Sequence, residues 1–361
     1  MDTTDQLLLN KLLAAVAEYK ASDLHLVAGN YPILRVDGKL FPLNNEVLLN
    51  VNFLKNIVDS WLTPEQQKAL DVKKEIVFTY TTSNKMRFKV SVYFQKGVLS
   101  VSLKLIPSHI KNLSELGLPP YAQQIAALKK GLILIAGTFG AGKSSTLAGI
   151  VETINQNETK HIITIENPIE YLFVDNRSII EQRELGRDTP TILEALKFIG
   201  EEDVDVVVLS ELAGKEMIEQ AFKVVDSGRL VIAAVNAEST IKVLENIINE
   251  FPVAEHNFVQ NKLADTLCGV MVQRMLPSLS GTAAVACELF FPENDQSARA
   301  IIASGEVNKM PNVLYNSTKQ NMVAFDRSLA ELMHKGEISM AVALENAHDR
   351  EFLQTIINRY Q

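Results

Sequence analysis

Gly131-Leu132-Ile133-Leu134-Ile135-Ala136 runs without a break into Gly137-Thr138-Phe139-Gly140-Ala141-Gly142-Lys143-Ser144. The first part is a continuous apolar run, the mark of a strand buried on both faces. The second fits G-x-x-x-x-G-K-S/T and leads into a helical pattern over 143–156, so strand, loop and helix follow in the order the motif requires. Glycines let the backbone turn until its N–H groups converge on one point, and the helix N-terminus adds partial positive charge there. Lys143 supplies a full charge for terminal phosphates, and the Ser144 hydroxyl can complete the shell of Mg²⁺. Residues Gly137, Thr138, Phe139, Gly140, Ala141, Gly142, Lys143, Ser144 and Ser145 are therefore the expected site for ATP with Mg²⁺. The plainer alternative is a glycine-rich turn carrying a surface lysine.

Outward from this loop the same rhythm continues. Apolar runs at 161–165, 204–209 and 230–235 alternate with helical patterns near 190–201, 214–227 and 240–250. Strands alternating with helices predict a parallel sheet with right-handed crossovers. Beyond Pro252 the pattern reads as mostly helical, with Cys268, Met271, Val272 and Met275 on a helix, one strand over 283–291, and an amphipathic helical end over 325–361. Towards the N-terminus, a helical stretch, two short strands ending in the turn Asp37-Gly38, a helix over 50–70 and three strands at 76–80, 87–93 and 98–103 describe a smaller domain. Leu116-Gly117-Leu118-Pro119-Pro120 has linker punctuation. The expected organisation is α/β throughout: a small domain over 1–108, a linker over 109–121, and a phosphate-loop domain over 122–361.

A phosphate loop needs a carboxylate nearby to hold Mg²⁺ or orient water. Val206-Val207-Val208-Leu209-Ser210-Glu211 is a strand ending in an acid, at the edge where a doubly wound sheet presents ligands. Glu166 and Glu170 flank Pro168, and one of them could act as general base. Solvated loop carboxylates are the alternative. The length of 361 residues favours two cores, and 47% hydrophobic with 22% charged residues excludes a mainly disordered chain. A net charge of -8 argues against nucleic acid as a partner, and two cysteines cannot build a four-thiolate zinc site. The first residues are acidic rather than basic, and no apolar run reaches the ~18 residues a bilayer demands. The chain is expected in the cytoplasm, meeting a membrane only through partners.

Further segments carry a resemblance. Ala21-Ser22-Asp23-Leu24-His25-Leu26 with Arg35-Val36-Asp37-Gly38, Thr164-Ile165-Glu166-Asn167-Pro168-Ile169-Glu170-Tyr171, and Gln182-Arg183-Glu184-Leu185-Gly186-Arg187-Asp188-Thr189 stand in an order and spacing similar to the type IV pilus retraction ATPases of the secretion ATPase superfamily. That resemblance implies a PAS-like first domain and a RecA-like second domain. It implies a ring of six subunits, a homo-hexamer or a mixed ring, with ATP between domains and near a neighbouring subunit. It implies hydrolysis that drives pilus retraction and twitching motility, against a platform protein at the inner membrane. Carried over by position, Lys143 and Ser144 hold phosphate and metal, Glu170 is the catalytic glutamate, Glu211 is the Walker B glutamate, and Arg87 and Lys104 reach nucleotide. Arg183 and Arg187 match too, as site or interface residues.

Several positions depart from the resemblance. Asn167 replaces an aspartate, Ala213 stands where arginine is usual, Arg229 and Asn236 replace two histidines, and Asn246 replaces an arginine. Lys104 also stands where arginine is commoner. These changes suit an ATPase with altered turnover, or a subunit that binds ATP structurally within a ring. Assembly and secretion ATPases of the same superfamily are expected to carry an extra N-terminal domain and four zinc-binding cysteines. A RecA-like recombinase or helicase would need a basic channel or a stacking platform.

Overall fold

The computed structural model describes residues 3–281, 283–316 and 321–360; Met1 and Asp2 of the acidic start and Gln361 of the C-terminal helical reading lie outside them. The chain divides into two compact units, Met1–His109 with Pro168–Tyr171, and Ile110–Asn167 with Leu172–Gln361.

The first unit is built on β1 (Asp23–Val27), β2 (Ile33–Val36), β3 (Lys39–Pro42), β4 (Glu75–Thr81), β5 (Arg87–Gln95) and β6 (Val98–Ile106). They form one sheet in the order β3-β2-β1-β6-β5-β4, with every pair antiparallel. Asp37 and Gly38 both take positive φ (47° and 77°), which gives the tight β2–β3 turn the twist its strands need. Alternation sends Leu24, Leu26, Phe88, Val90, Val101 and Leu103 into a core closed by the helices Thr3–Glu18 and Val51–Trp61. The opposite positions are polar: Asp23 pairs with Arg35 and Lys104, and Lys104 with Lys89. The helix read over 50–70 is two helices, Val51–Trp61 and Pro64–Lys73. Pro64 lacks the N–H that would continue the first helix and forces Thr63 extended, where Thr63 and Gln66 close a capping box.

The second unit contains β7 (Gly131–Ala136), β8 (His161–Glu166), β9 (Ile179–Glu184), β10 (Val206–Leu209), β11 (Leu230–Val235), β12 (Leu267–Pro277) and β13 (Ala283–Phe290). Their order is β13-β12-β7-β11-β10-β8-β9, parallel from β12 to β9 with β13 antiparallel at one edge. Every residue of β7, β10 and β11 is buried. Period-two alternation sorts them into two cores, one holding Leu132, Leu134, Val207 and Val231, the other Ile133, Ile135, Val208 and Ile232. The helices Lys143–Asn157, Ile192–Ile199, Lys215–Asp226 and Thr240–Asn249 connect the strands.

In the second unit, β12 and β9 differ from the sequence reading. Cys268, Met271, Val272 and Met275 lie on the strand β12, not on a helix. A short apolar run shielded on both sides has no periodicity that separates strand from helix. The helix His256–Thr266 also hands over directly to β12, with no glycine or proline between them. The edge strand β9 carries Glu181, Gln182, Arg183 and Glu184, and that polarity hid it.

Candidate phosphate-binding site

β7 delivers the chain to the loop at the carboxyl edge of the parallel sheet, and the helix Lys143–Asn157 takes it away. Gly142 precedes that helix with φ 90°, a conformation in which side chains are strained. A Cβ on Gly137 would lie 2.6 Å from the Ala141 Cβ and 2.7 Å from the backbone oxygen of Gln273, so the loop is pressed against β12. The Lys143 ammonium donates to the carbonyls of Gly137 (2.7 Å) and Thr138 (3.2 Å) and to Asn236 Oδ1 (2.9 Å). Burial lowers its pKa from the usual lysine value, and the charge of Glu211 opposes that shift. Ser144 is exposed on the first helical turn, and Phe139 is fully exposed, filling no space within the loop.

Glu211 follows β10 and is exposed. With Leu212, Ala213, Asn236, Asn246 and Glu250 it lines a cavity of about 180 Å³. Asn236 follows β11, and its carbonyl accepts from the Asn246 side chain at 3.3 Å. Asn246 belongs to the helix Thr240–Asn249, whose first N–H, on Thr240, donates to the Glu288 carboxylate of β13 at 2.9 Å. Burial raises the pKa of Glu288 above the ordinary glutamate value, with its Thr240 hydrogen bonds acting the other way.

The acidic segment is divided. Glu166 ends β8 and accepts from Thr164 Oγ1 (2.7 Å) and Gln182 Nε2 (2.9 Å), and Asn167 is exposed. Glu170 belongs to the first unit, where its carboxylate meets Lys89 Nζ at 2.8 Å. Arg87 donates to the carbonyls of Ile169 (2.9 Å) and Glu170 (3.3 Å). Lys89 was absent from the sequence reading, although it shares a face of β5 with Arg87. Lys104 is exposed opposite Lys89 in the register.

Arg229 is not part of the loop's surroundings. It precedes β11, at the other end of a six-residue strand from Asn236, a span of about 20 Å. Its guanidinium donates to the carbonyls of Val204 (3.1 Å) and Glu202 and to the Ser227 hydroxyl, bracing a turn at the far sheet edge. The two positions where the resemblance has histidines are thus separated within the chain, and only Asn236 lies beside Lys143. Arg183 packs its cation over Phe198 (5.6 Å) and donates to the Asp188 carbonyl (3.1 Å), and Arg187 is exposed.

A tight glycine cradle, a helix N-terminus and a lysine at its mouth fit a polyphosphate chain. Among the described residues no group of three or more His, Cys, Asp or Glu side chains could cage a metal ion, so Mg²⁺ would have to share its shell with phosphate and water. No helix among the described residues is long and apolar enough to cross a membrane.

The description "Type II/IV secretion system protein" matches residues 2–356. The chain is 32% identical to the type IV pilus ATPase PilU of Pseudomonas aeruginosa, over 96% of this chain and 90% of that one. It is 30% identical to the type IV pilus retraction ATPase PilT of the same organism, over 94% and 98% of the two chains. Among solved structures, the pilus retraction motor PilT with bound ADP superposes with a TM-score of 0.84 at 30% identity, covering 96% of this chain and 98% of that one.

Proposed function

The chain belongs to the Type II/IV secretion system protein family, and from that premise we propose that it is a phosphate-loop ATPase whose hydrolysis powers retraction of a type IV pilus. The observation that carries the reading is the Lys143 ammonium, held at the mouth of a glycine cradle by oxygens that phosphate can replace. In this proposal the loop N–H groups and Lys143 grip the β- and γ-phosphates. Mg²⁺ arriving with ATP supplies charge neutralisation, with Ser144 and Glu211 completing its shell. Glu170 takes a proton from the attacking water, and Arg87 and Lys104 reach nucleotide of their own or a neighbouring subunit. The working form is a ring, a homo-hexamer in the simplest case, in the cytoplasm and held to the inner membrane by a platform protein.

The test is phosphate release by purified, size-fractionated protein beside Lys143→Ala and Glu170→Gln. The native protein is expected to turn over ATP, with both variants at background. Lys143→Ala should also lose ATP binding, whereas Glu170→Gln should keep it. Equal rates for all three would remove the enzyme. A second reading, a ring subunit that binds ATP without hydrolysing it, draws on neutral Asn236 beside Lys143, which cannot carry a proton as an imidazole would. Tight binding of Mg·ATP with no phosphate release would favour it.

A further inference from the structure

Gln273 lies in the middle of β12 and is 2% exposed. Its side-chain Nε2 crosses to the phosphate loop and donates to the carbonyl of Ala141 at 2.6 Å. Its own backbone oxygen lies under Gly137, and its Nε2 would be 3.1 Å from a Cβ on Gly142. One residue therefore backs the loop at its start, at Ala141 and at its last glycine. The other end of the amide, Oε1, has no hydrogen-bond partner among the described residues. A leucine or methionine would fill the same space without burying an unpaired oxygen, so packing alone does not account for an amide here.

We propose that Gln273 is the positioning residue of the phosphate loop: its side-chain N–H fixes the Ala141–Gly142 peptide so that the Gly142 N–H faces the bound phosphates. The reasoning is peptide geometry. In a trans peptide the C=O and the following N–H point in opposite directions. Drawing the Ala141 carbonyl down onto β12 turns the Gly142 N–H away from β12, towards the open side of the loop. Without that anchor the peptide can rotate, and the cradle presents an oxygen where a phosphate requires a donor. Gly142, with no Cβ, permits either orientation, so the anchor has to come from outside the loop. The inference rests on the phosphate-loop reading above.

The experiment measures Mg·ADP affinity by calorimetry for native protein, Gln273→Leu and Gln273→Glu. Gln273→Leu keeps the volume and removes the donor. Its Kd should rise about tenfold, the loss that one misaligned neutral hydrogen bond produces. Inorganic pyrophosphate, measured by displacement of ADP, should show the same factor, because it meets only the loop. Gln273→Glu gives a readout that a purely structural role would not move. Its carboxyl donates to Ala141 only when protonated, and burial at this position holds its pKa above the ordinary glutamate range, so affinity relative to native protein should improve steadily as the pH falls from 9 to 5. Native affinity in a folded Gln273→Leu overturns the proposal. If Gln273→Leu does not fold, a flat pH response of Gln273→Glu overturns it instead. Absence of binding by native protein would remove the phosphate-loop reading itself.

Discussion

Lys143 meets three neutral oxygens, and the charge of Glu211 acts on it without a direct hydrogen bond. This leaves the ammonium with positive charge to offer phosphate. Asn236 is the one side chain among those three contacts, so its neutrality can be tested without disturbing the loop backbone. Asn236→Asp keeps the shape and adds a carboxylate beside the ammonium. A pair of unit charges about 4 Å apart interacts by about 4 kcal/mol near a protein surface. The new carboxylate would also repel a γ-phosphate. Mg·ATP affinity should fall at least ~tenfold and Mg·ADP affinity less, as read by calorimetry. Unchanged ATP affinity would mean that Asn236 does not face the terminal phosphate.

Among elements, the helix Thr240–Asn249 ties the cavity wall to the sheet. Its N-cap Ser239 accepts from Lys242, and Glu288 on β13 accepts from Thr240 N. Glu288 is buried and its pKa is raised, which fixes the sign of its pH effect. At pH well above its folded pKa the native state carries a desolvated charge that the unfolded state does not. As pH falls through the folded value towards the unfolded one, the native state takes up the proton first and that penalty disappears. Glu288→Gln keeps an acceptor for Thr240 and drops the charge. Urea unfolding should find the variant more stable than native at pH 8, with the difference shrinking towards pH 5. A constant difference would place the effect in packing. How readily an element showed in the sequence followed from how locally it is specified. β7, β8, β10 and β11 were legible because each is an apolar run next to a helical pattern. β12 follows a helix without punctuation, and β9 is a polar edge. The site divides in the same way. Gly137 to Ser144 is one continuous motif, whereas Gln273 reaches the loop through β7–β12 pairing and Lys89 reaches Glu170 by docking within the first unit. No spacing along the chain encodes contacts of that kind.

At the scale of the molecule, the two units have separate cores. The first gathers Leu9, Phe53 and Phe88, and no buried residue of that cluster appears among those of the second unit. Separate cores predict two calorimetric transitions rather than one. A ligand stabilises only the native unit that holds it. Mg·ADP at 100 times its Kd adds about 2.7 kcal/mol, which for a unit of this size moves its midpoint by roughly 5–10 °C. The transition abolished in its ADP response by Lys143→Ala identifies the second unit. If Arg87 and Lys104 also touch phosphate, as proposed, the first unit's transition should rise with ADP by a smaller amount. That rise should vanish in an Arg87→Ala/Lys104→Ala variant while the second unit's shift remains. A first-unit transition indifferent to ADP would withdraw both residues from the nucleotide site. It would leave Arg87 with the role its hydrogen bonds already describe, holding the Ile169 and Glu170 carbonyls against β5.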